Sequence, residues 1–193
     1  MNKILVLLVL TGIIFTGCTD VKLNSISQPA KGTYKLVQIP GKTGLSSEIA
    51  YTTTSIVDGS VGGMMTMNAS YMGDNGKLVT LNVSMTIPAG AFSGVRTITL
   101  TADDQYAALI CTPSMVFDKS LTLDFSYTGL TLNSTNLPNG KHGFYFISDS
   151  GDFVEVVSNG VLINRSLGRL IVSGAQINHF SRYGWSTIDG SSD

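Results

Sequence analysis

Apolar and polar residues alternate along much of the chain with a period of two, which predicts strands. Every second residue from Val79 to Ile87 is apolar, and Thr, Asn or Ser stand between. The same alternation runs from Leu121 to Thr128, and Ile98 and Leu100 lie between threonines. Since successive side chains of a strand point to opposite faces, one face of each segment is predicted to enter the core. Residues Phe144 to Ile147 are apolar on both faces, as in a central strand.

The segments between these strands have the same β character. No stretch of 11 residues shows helical periodicity. Four turn sequences are able to reach positive φ and are predicted to connect paired strands: Asp74 to Gly76, Asn139-Gly140, Asp149 to Gly151 and Asn159-Gly160. The pattern therefore predicts an all-β protein, an antiparallel two-sheet β-sandwich of about ten short strands. The other predicted strands are Glu48 to Val57, Gly63 to Tyr71, Tyr106 to Cys111, Phe153 to Val157, Val161 to Asn164, Arg169 to Val172 and Ala175 to Tyr183.

Composition narrows the class of protein. The chain has 193 residues, of which 43% are hydrophobic, enough for one core of ordinary size. It contains 22 Ser, 20 Thr and 21 Gly but only two Glu, a composition that favours strands and turns over helices. Charged residues make up 13% and the net charge is −1, which argues against a nucleic-acid partner bound through its phosphates.

The first residues are predicted to be a secretion signal. Lys3 precedes an apolar run that is short for a membrane span and ends in small residues. The sequence Phe15-Thr16-Gly17-Cys18 resembles the lipobox of bacterial lipoproteins, with Phe15 where Leu, Val or Ile is usual. The resemblance implies cleavage before Cys18, acylation of Cys18 and membrane attachment through that lipid. An ordinary signal peptide with an incidental cysteine is the alternative.

This resemblance sets the predicted domain organisation. Residues 1–17 are the lipoprotein signal peptide, 18–33 the lipidated cysteine and a flexible tether, and 34–193 the folded domain. The expected location is the bacterial cell envelope, at the outer membrane or cell surface. Thr19 rather than Asp follows Cys18, so the common inner-membrane retention signal of lipoproteins is absent.

No cofactor or metal is predicted from the remaining candidate ligands. Thioethers bind Cu(I), but in the methionine-rich segment Met64 to Met67 the alternation predicts that Met65 and Met67 fill the core. The Asp103-Asp104 pair is predicted to be a solvated turn rather than a Ca²⁺ site. His142 is predicted to be a surface residue. Cys111, which has no disulfide partner if Cys18 is acylated, is predicted to be buried and unreactive.

The segment Ala175 to Tyr183 contains the one candidate for catalysis. In an extended strand, His179 and Ser181 would share a face with their Cα atoms about 6.6 Å apart. An imidazole beside a hydroxyl is the minimum for an activated nucleophile. Ser181 would then attack the carbonyl of Phe180 in an N-to-O acyl shift, with His179 as general base. The alternative is that all three are ordinary residues of a terminal strand, with Phe180 in the core.

Several motifs in the same order resemble the ZU-five domain. They are Ile87 to Phe92, Ser114 to Leu121, Phe144 to Phe146 and the closing His179 to Tyr183, within a resemblance that covers residues 62–183. The ZU-five domain is a β-sandwich found in ankyrins, netrin receptors, the death-domain protein PIDD and many secreted bacterial proteins.

The resemblance implies two different functions. Most members of the family are structural or protein-interaction modules without catalysis. In some, a His-Phe-Ser triplet cuts itself between Phe and Ser, here Phe180 and Ser181, and a second domain follows the cut. This sequence departs from those members, since only 13 residues follow Phe180.

The expectation is a membrane-anchored envelope lipoprotein that acts as a non-catalytic structural or protein/glycan-interaction module. Its partner would be an envelope protein or a glycan, bound at an exposed sheet edge or a Thr-rich face. The alternative is a module that cleaves its own Phe180-Ser181 bond.

Overall fold

The computed structural model describes residues 33–43 and 50–189, which form twelve strands. The predicted signal peptide and nearly all of the tether, including Cys18, lie outside the described residues. The strands are β1 (Thr33–Leu36), β2 (Thr52–Asp58), β3 (Gly63–Met72), β4 (Leu78–Ile87), β5 (Val95–Ala102), β6 (Ala108–Thr112), β7 (Val116–Thr128), β8 (Lys141–Ile147), β9 (Phe153–Glu155), β10 (Gly160–Asn164), β11 (Arg169–His179) and β12 (Arg182–Asp189).

The strands form two antiparallel sheets, which confirms the predicted all-β sandwich. One sheet has seven strands in the order β2-β5-β6-β12-β8-β9, with β1 also paired to β12. The other has five in the order β10-β11-β7-β4-β3. The strand count is higher than the predicted ten because β1 and β12 were not predicted as separate strands. β1 has only four residues, and the start of β12 was included in the predicted strand from Ala175 to Tyr183. Over the residues that the structure describes, no helix is long and apolar enough to cross a membrane.

The alternating pattern of β4 explains how the five-stranded sheet contributes to the core. Val83 stands opposite Met67 of β3 on one side and opposite Phe125 of β7 on the other, and all three are buried. Directly opposed residues share a face of the sheet, so the apolar positions of neighbouring strands form continuous rows. Met65 and Met67 are buried in this way while Met64 is exposed, as the alternation predicts.

Aromatic rings join the two sheets. Trp185 of β12 is fully buried, and its ring centre lies 4.6 Å from that of Phe125 and 5.1 Å from that of Phe144. Rings at these distances and inclinations make favourable tilted and edge-to-face contacts in addition to the area that they bury. Thus β7 of one sheet is packed directly against β8 and β12 of the other.

Two predicted strands merge into one. Arg169 to Val172 and the segment from Ala175 to His179 are both parts of β11, which changes register relative to β7 between Val172 and Ala175. Gly174 lies at this irregularity with a φ of 62°, and its amide donates a hydrogen bond of 2.9 Å to Asp124 Oδ1. The glycine permits the positive φ of a bulge without ending the pairing.

Two of the four predicted turns connect paired strands, and two do not. Asp74 to Gly76 connects the paired strands β3 and β4, and Asp149 to Gly151 connects β8 and β9. The predictions at Asn139-Gly140 and Asn159-Gly160 are wrong as hairpins, since the chain there passes from one sheet to the other.

Candidate functional site

The His-Phe-Ser motif lies where the chain crosses between the sheets. His179 is the last residue of β11 and Arg182 the first of β12, so Phe180 and Ser181 form the connection. The Phe180 amide donates to the carbonyl of Met115, while the Ser181 carbonyl accepts a bond from the amide of Cys111. The prediction that His179 and Ser181 share one face of a single strand is therefore wrong. The strand is interrupted because the Phe180 amide pairs with Met115, in the connection just before β7, whereas the Ser181 carbonyl pairs with Cys111 of β6.

Phe180 occupies the core, as the non-catalytic interpretation predicts. Its side chain has no exposed surface, and its ring meets that of Phe117 edge-on, with centres 4.7 Å apart and planes at 85°. The Phe117 ring lies 6.2 Å from that of Phe92. The three rings form a row at the end of the sandwich where the crossover occurs, and they hold the connection in place.

The same packing brings together the segments that carry the ZU-five resemblance. Phe92 belongs to the Ile87 to Phe92 motif and Phe117 to the Ser114 to Leu121 motif. The backbone amide of Asp118 donates to the Ala91 carbonyl at 2.8 Å, and Lys119 Nζ donates to the Ala89 carbonyl at 2.6 Å. These segments therefore act together in supporting the fold around Phe180.

The His179 ring is directed toward aromatic neighbours. It lies edge-on to Phe146, with ring centres 4.3 Å apart, and 6.1 Å from the Tyr183 ring. Burial lowers the pKa of His179, which favours the neutral imidazole. The Ser181 hydroxyl instead donates to the Ile147 carbonyl at 3.3 Å. Among residues 33–43 and 50–189, no hydrogen bond links the His179 imidazole to Ser181.

Tyr183 fixes the backbone on the N-terminal side of the crossover. Its hydroxyl donates a hydrogen bond of 2.6 Å to the His179 carbonyl, and burial raises the pKa of Tyr183 above its ordinary value. A buried hydroxyl without a partner is unfavourable, so this bond also completes the core. No residue other than glycine in the described ranges has a positive φ, and the Phe180-Ser181 peptide is trans.

An ion pair beside the motif was not predicted. Arg182 Nη2 lies 2.6 Å from Asp103 Oδ2, and the Asp103 side chain is only 11% exposed. Asp103 Oδ1 also accepts the amides of Gln105 and Tyr106. The prediction of a solvated turn at Asp103 is thus wrong. The partners are 79 residues apart in sequence, so no local pattern signals the pair.

An open cleft of about 460 Å³ lies on the outer face of the seven-stranded sheet. Tyr34 and Phe153 stack on one another in it, with ring centres 4.6 Å apart and planes at 7°. Arg182 also lines the cleft, and its guanidinium carbon lies 5.6 Å from the centre of the Tyr106 ring. Gln38 adds an exposed amide. Sequence reasoning missed this site because its residues come from five separate parts of the chain.

The predicted Thr-rich face is continuous with the cleft. Thr52 and Thr54 of β2 pair their hydroxyls with those of Thr101 and Thr99 of β5, at 3.3 and 3.0 Å. A row of directly opposed residues then runs across six strands, and its members therefore share one face. The row is Thr52, Thr101, Ile110, Arg182, Ile147 and Phe153.

The remaining predicted positions have plain structural roles. Cys111 is 2% exposed, and burial raises the pKa of its thiol, as the prediction of a buried cysteine requires. His142, predicted to be a surface residue, is half-buried, and its Nε2 accepts a bond of 2.9 Å from Arg165 Nη2. Within the described ranges, no group of three or more His, Cys, Asp or Glu side chains is placed to hold a metal ion.

Comparison of the chain with protein-family models, curated proteins and solved structures found no significant match. The ZU-five resemblance of the segments around Phe92 and Phe180 therefore stays a prediction.

Proposed function

We propose that the protein is a lipid-anchored module of the bacterial envelope that binds a protein or a glycan through the outer face of its seven-stranded sheet. The observation that carries this proposal is the row of opposed residues from Thr52 to Phe153, which joins a hydroxyl-rich surface to an aromatic cleft. Aromatic rings and a guanidinium are the groups that contribute most to binding energy at protein interfaces, and the hydroxyl groups on the same face can add hydrogen bonds.

The aromatic residues on this face support a binding role. The rings of Tyr34 and Phe153 both line the cleft, on the side of the sheet away from the Trp185 core. Tyr and Arg are enriched among the residues that dominate binding energy, and both types are present here. A solvent-facing cleft with these groups is more typical of a binding site than of a surface that only solubilises the fold.

The proposed anchor on Cys18 suits such a role. Thr33 begins β1, and the 14 residues between Cys18 and Thr33 span at most about 50 Å when fully extended. Two or more acyl chains on Cys18 would hold the protein stably at a membrane. The domain would then reach partners near the membrane surface without leaving it.

The experiment has one arm for the anchor and one for binding. Full-length chain and its Cys18→Ala variant are expressed in a bacterium with labelled palmitate. We expect the wild type to carry the label and to associate with the membrane, and we expect Cys18→Ala to lose both properties. An unlabelled wild-type protein contradicts the anchor.

The binding arm uses wild type solubilised in detergent. It is sedimented with isolated envelope fragments, alongside Tyr34→Ala and a control, Val116→Ala. Val116 is 79% exposed and belongs to the other sheet.

The expected result is co-sedimentation of wild type and Val116→Ala and its reduction in Tyr34→Ala. A wild-type protein that does not sediment with the fragments contradicts the binding role. Equal sedimentation of Tyr34→Ala and wild type contradicts the assignment of that role to this face.

Self-cleavage is the second candidate, and the lowered pKa of His179 favours it because a general base must be unprotonated. The Ser181 hydroxyl oxygen would attack the Phe180 carbonyl and pass its proton to His179. The Phe180-Ser181 C–N bond would then break as the nitrogen takes that proton, leaving an ester. Water would hydrolyse the ester to a Phe180 carboxylate and a free Ser181 amino terminus. The imidazole would first have to turn from Phe146 toward Ser181, whose hydroxyl is bonded to Ile147.

A further inference from the structure

The cleft on the outer face has the chemistry of a carbohydrate site. We infer that it binds a saccharide, which packs on the outer ring face of the stacked pair of Tyr34 and Phe153 and forms hydrogen bonds with Arg182 and Gln38. This inference rests on the proposed binding function and names the chemical class of the ligand.

The aromatic side of the cleft is rigid. Tyr34 and Phe153 stack at 4.6 Å, and the buried Tyr145 supports both from below, with ring centres 5.6 Å from Tyr34 and 6.3 Å from Phe153. Gly143 leaves room for this arrangement, because a Cβ at that position would lie 3.0 Å from the Tyr145 ring. A fixed aromatic surface loses little conformational entropy when it binds a ligand. The two rings cover one another's inner faces, so a pyranose would pack its C–H groups, which carry partial positive charge, against the outer negative face of the pair.

The polar side of the cleft is equally fixed. Arg182 Nη2 is held by Asp103, and the guanidinium lies over the Tyr106 ring. The Arg182 side chain is 32% exposed and lines the cleft. The accessible N–H groups of the planar guanidinium are therefore held in a set orientation, as recognition of hydroxyl oxygens requires. The exposed amide of Gln38 supplies both a donor and an acceptor.

The charge of Arg182 does not require an anionic ligand. Asp103 already balances this charge at 2.6 Å, so a carboxylate or phosphate would compete with Asp103 for the guanidinium, whereas a sugar hydroxyl needs only an unused N–H. Lys35 also lines the cleft. The volume of about 460 Å³ falls within the range of roughly 300–1,000 Å³ of small-ligand sites. The open form of the cleft suits a short stretch of an oligosaccharide chain.

The test uses protein made from the full chain and solubilised in a detergent without a sugar headgroup. The probes are the tetrasaccharides of glucose in β-1,4 and α-1,4 linkage, of N-acetylglucosamine and of xylose. Binding is measured by isothermal titration calorimetry and by saturation-transfer NMR. The variants are Tyr34→Ala, Tyr34→Phe and Gln38→Ala. Tyr51→Ala is the matched control, since Tyr51 is a half-buried aromatic residue outside the cleft.

Binding of at least one probe is expected, with the affinity reduced about tenfold or more in Tyr34→Ala and less in Gln38→Ala. Tyr34→Phe, which keeps the ring, and Tyr51→Ala are expected to bind like wild type. Thermal unfolding of each variant shows whether a loss of binding reflects a loss of folding. If Tyr34→Ala does not fold, Gln38→Ala carries the test, and binding of Gln38→Ala equal to that of wild type then overturns the inference.

Wild type that binds none of the probes, or Tyr34→Ala that binds as tightly as wild type, overturns the inference. Co-sedimentation with envelope fragments distinguishes the two levels of the proposal. If wild type sediments with the fragments through Tyr34 but binds no saccharide, the binding function stands and its ligand is a protein. If it neither sediments nor binds a saccharide, both fail.

Discussion

The ring of Phe180 meets the ring of Phe117 edge-on at 4.7 Å, and this contact joins the crossover between the sheets to β7. Phe117 is 9% exposed and Phe180 has no exposed surface. The central residue of the His-Phe-Ser motif is thus part of the core, and its two neighbours point to different partners, Phe146 for His179 and the Ile147 carbonyl for Ser181. The motif has a structural function in the folded protein.

Replacement of this core ring tests that conclusion. Phe180→Ala leaves a cavity beside Phe117 and is expected to lower the free energy of unfolding by about 3–5 kcal/mol. Val116→Ala is the control, since Val116 is 79% exposed and its truncation is expected to change stability by less than about 0.5 kcal/mol. Equilibrium unfolding in urea measures both. Equal midpoints for Phe180→Ala and wild type would show that the ring is not packed as described.

The ion pair between Asp103 and Arg182 is expected to couple the turn before β6 to the start of β12. Asp103→Ala, Arg182→Ala and the double variant form a cycle from which the pair energy is obtained. We expect coupling of roughly 0.5–3 kcal/mol, since the pair is largely shielded from water and shares Asp103 with two backbone amides. Additive effects of the two single substitutions in urea unfolding would rule out a stabilising interaction.

Stability is expected to fall as the pH drops below about 6.5. Burial lowers the pKa of His142 and of His179 below the ordinary value of 6.5, and the charge of Arg165 lowers that of His142 further. The unfolded chain then binds more protons than the folded one in this range, so stability is complete above pH 6.5 and is lost toward acid. Melting temperatures from pH 8 to pH 5 measure the effect.

His142→Gln and His179→Gln provide the control for this acid dependence. Gln at position 142 keeps an acceptor for Arg165 but does not titrate. The double variant is expected to have a flatter profile than wild type between pH 7 and pH 5. Asp58, whose pKa is lowered from 3.8 by hydrogen bonds from Ser60, titrates below this window. An unchanged slope in the double variant would assign the acid dependence to other groups.

Cys111 is expected to be unreactive until the protein unfolds. It is 2% exposed, so a reagent does not reach its sulfur. Burial also raises the pKa of its thiol, which disfavours the reactive thiolate. In Cys18→Ala, Cys111 is the remaining cysteine of the chain. A thiol reagent should label this variant in guanidinium chloride and leave the native protein unlabelled over the same time. Rapid labelling of native protein would show that β6 opens readily.

Self-cleavage at Phe180-Ser181 is expected not to occur in the purified protein. The His179 imidazole and the Ser181 hydroxyl make separate contacts, so the base does not reach the nucleophile. Intact mass spectrometry should therefore give one mass for wild type, equal to that of Ser181→Ala apart from the substituted oxygen. A shorter wild-type chain, together with a fragment beginning at Ser181 that is absent from Ser181→Ala, would instead establish the second candidate function.

Local pattern was sufficient to predict the strands with one buried face. The alternation from Val79 to Ile87 matches β4, and that from Leu121 to Thr128 lies within β7. The predicted burial of Phe180 and Cys111 is also confirmed. Cys111 ends the apolar run that starts at Ala107, and Phe180 is an aromatic residue between polar neighbours. Period two is a property of neighbouring residues and can be read without knowledge of the rest of the chain.

Long-range pairing explains what the pattern did not predict. The segment from Ala175 to Tyr183 reads as one strand, yet it is divided between β11 of one sheet and β12 of the other. At the division the Phe180 amide pairs with Met115, just before β7, and the Ser181 carbonyl pairs with Cys111 of β6. Nothing within the segment specifies that division.

The sequence alone determined the all-β class, the two-faced strands and the residues of the core, since these depend on the order of apolar and polar side chains. Tertiary structure decided that His179 and Ser181 separate, that Asp103 meets Arg182, and that Tyr34 stacks on Phe153 in the cleft. These contacts join residues distant in the chain, and their geometry follows from sheet order and register, which local periodicity does not encode.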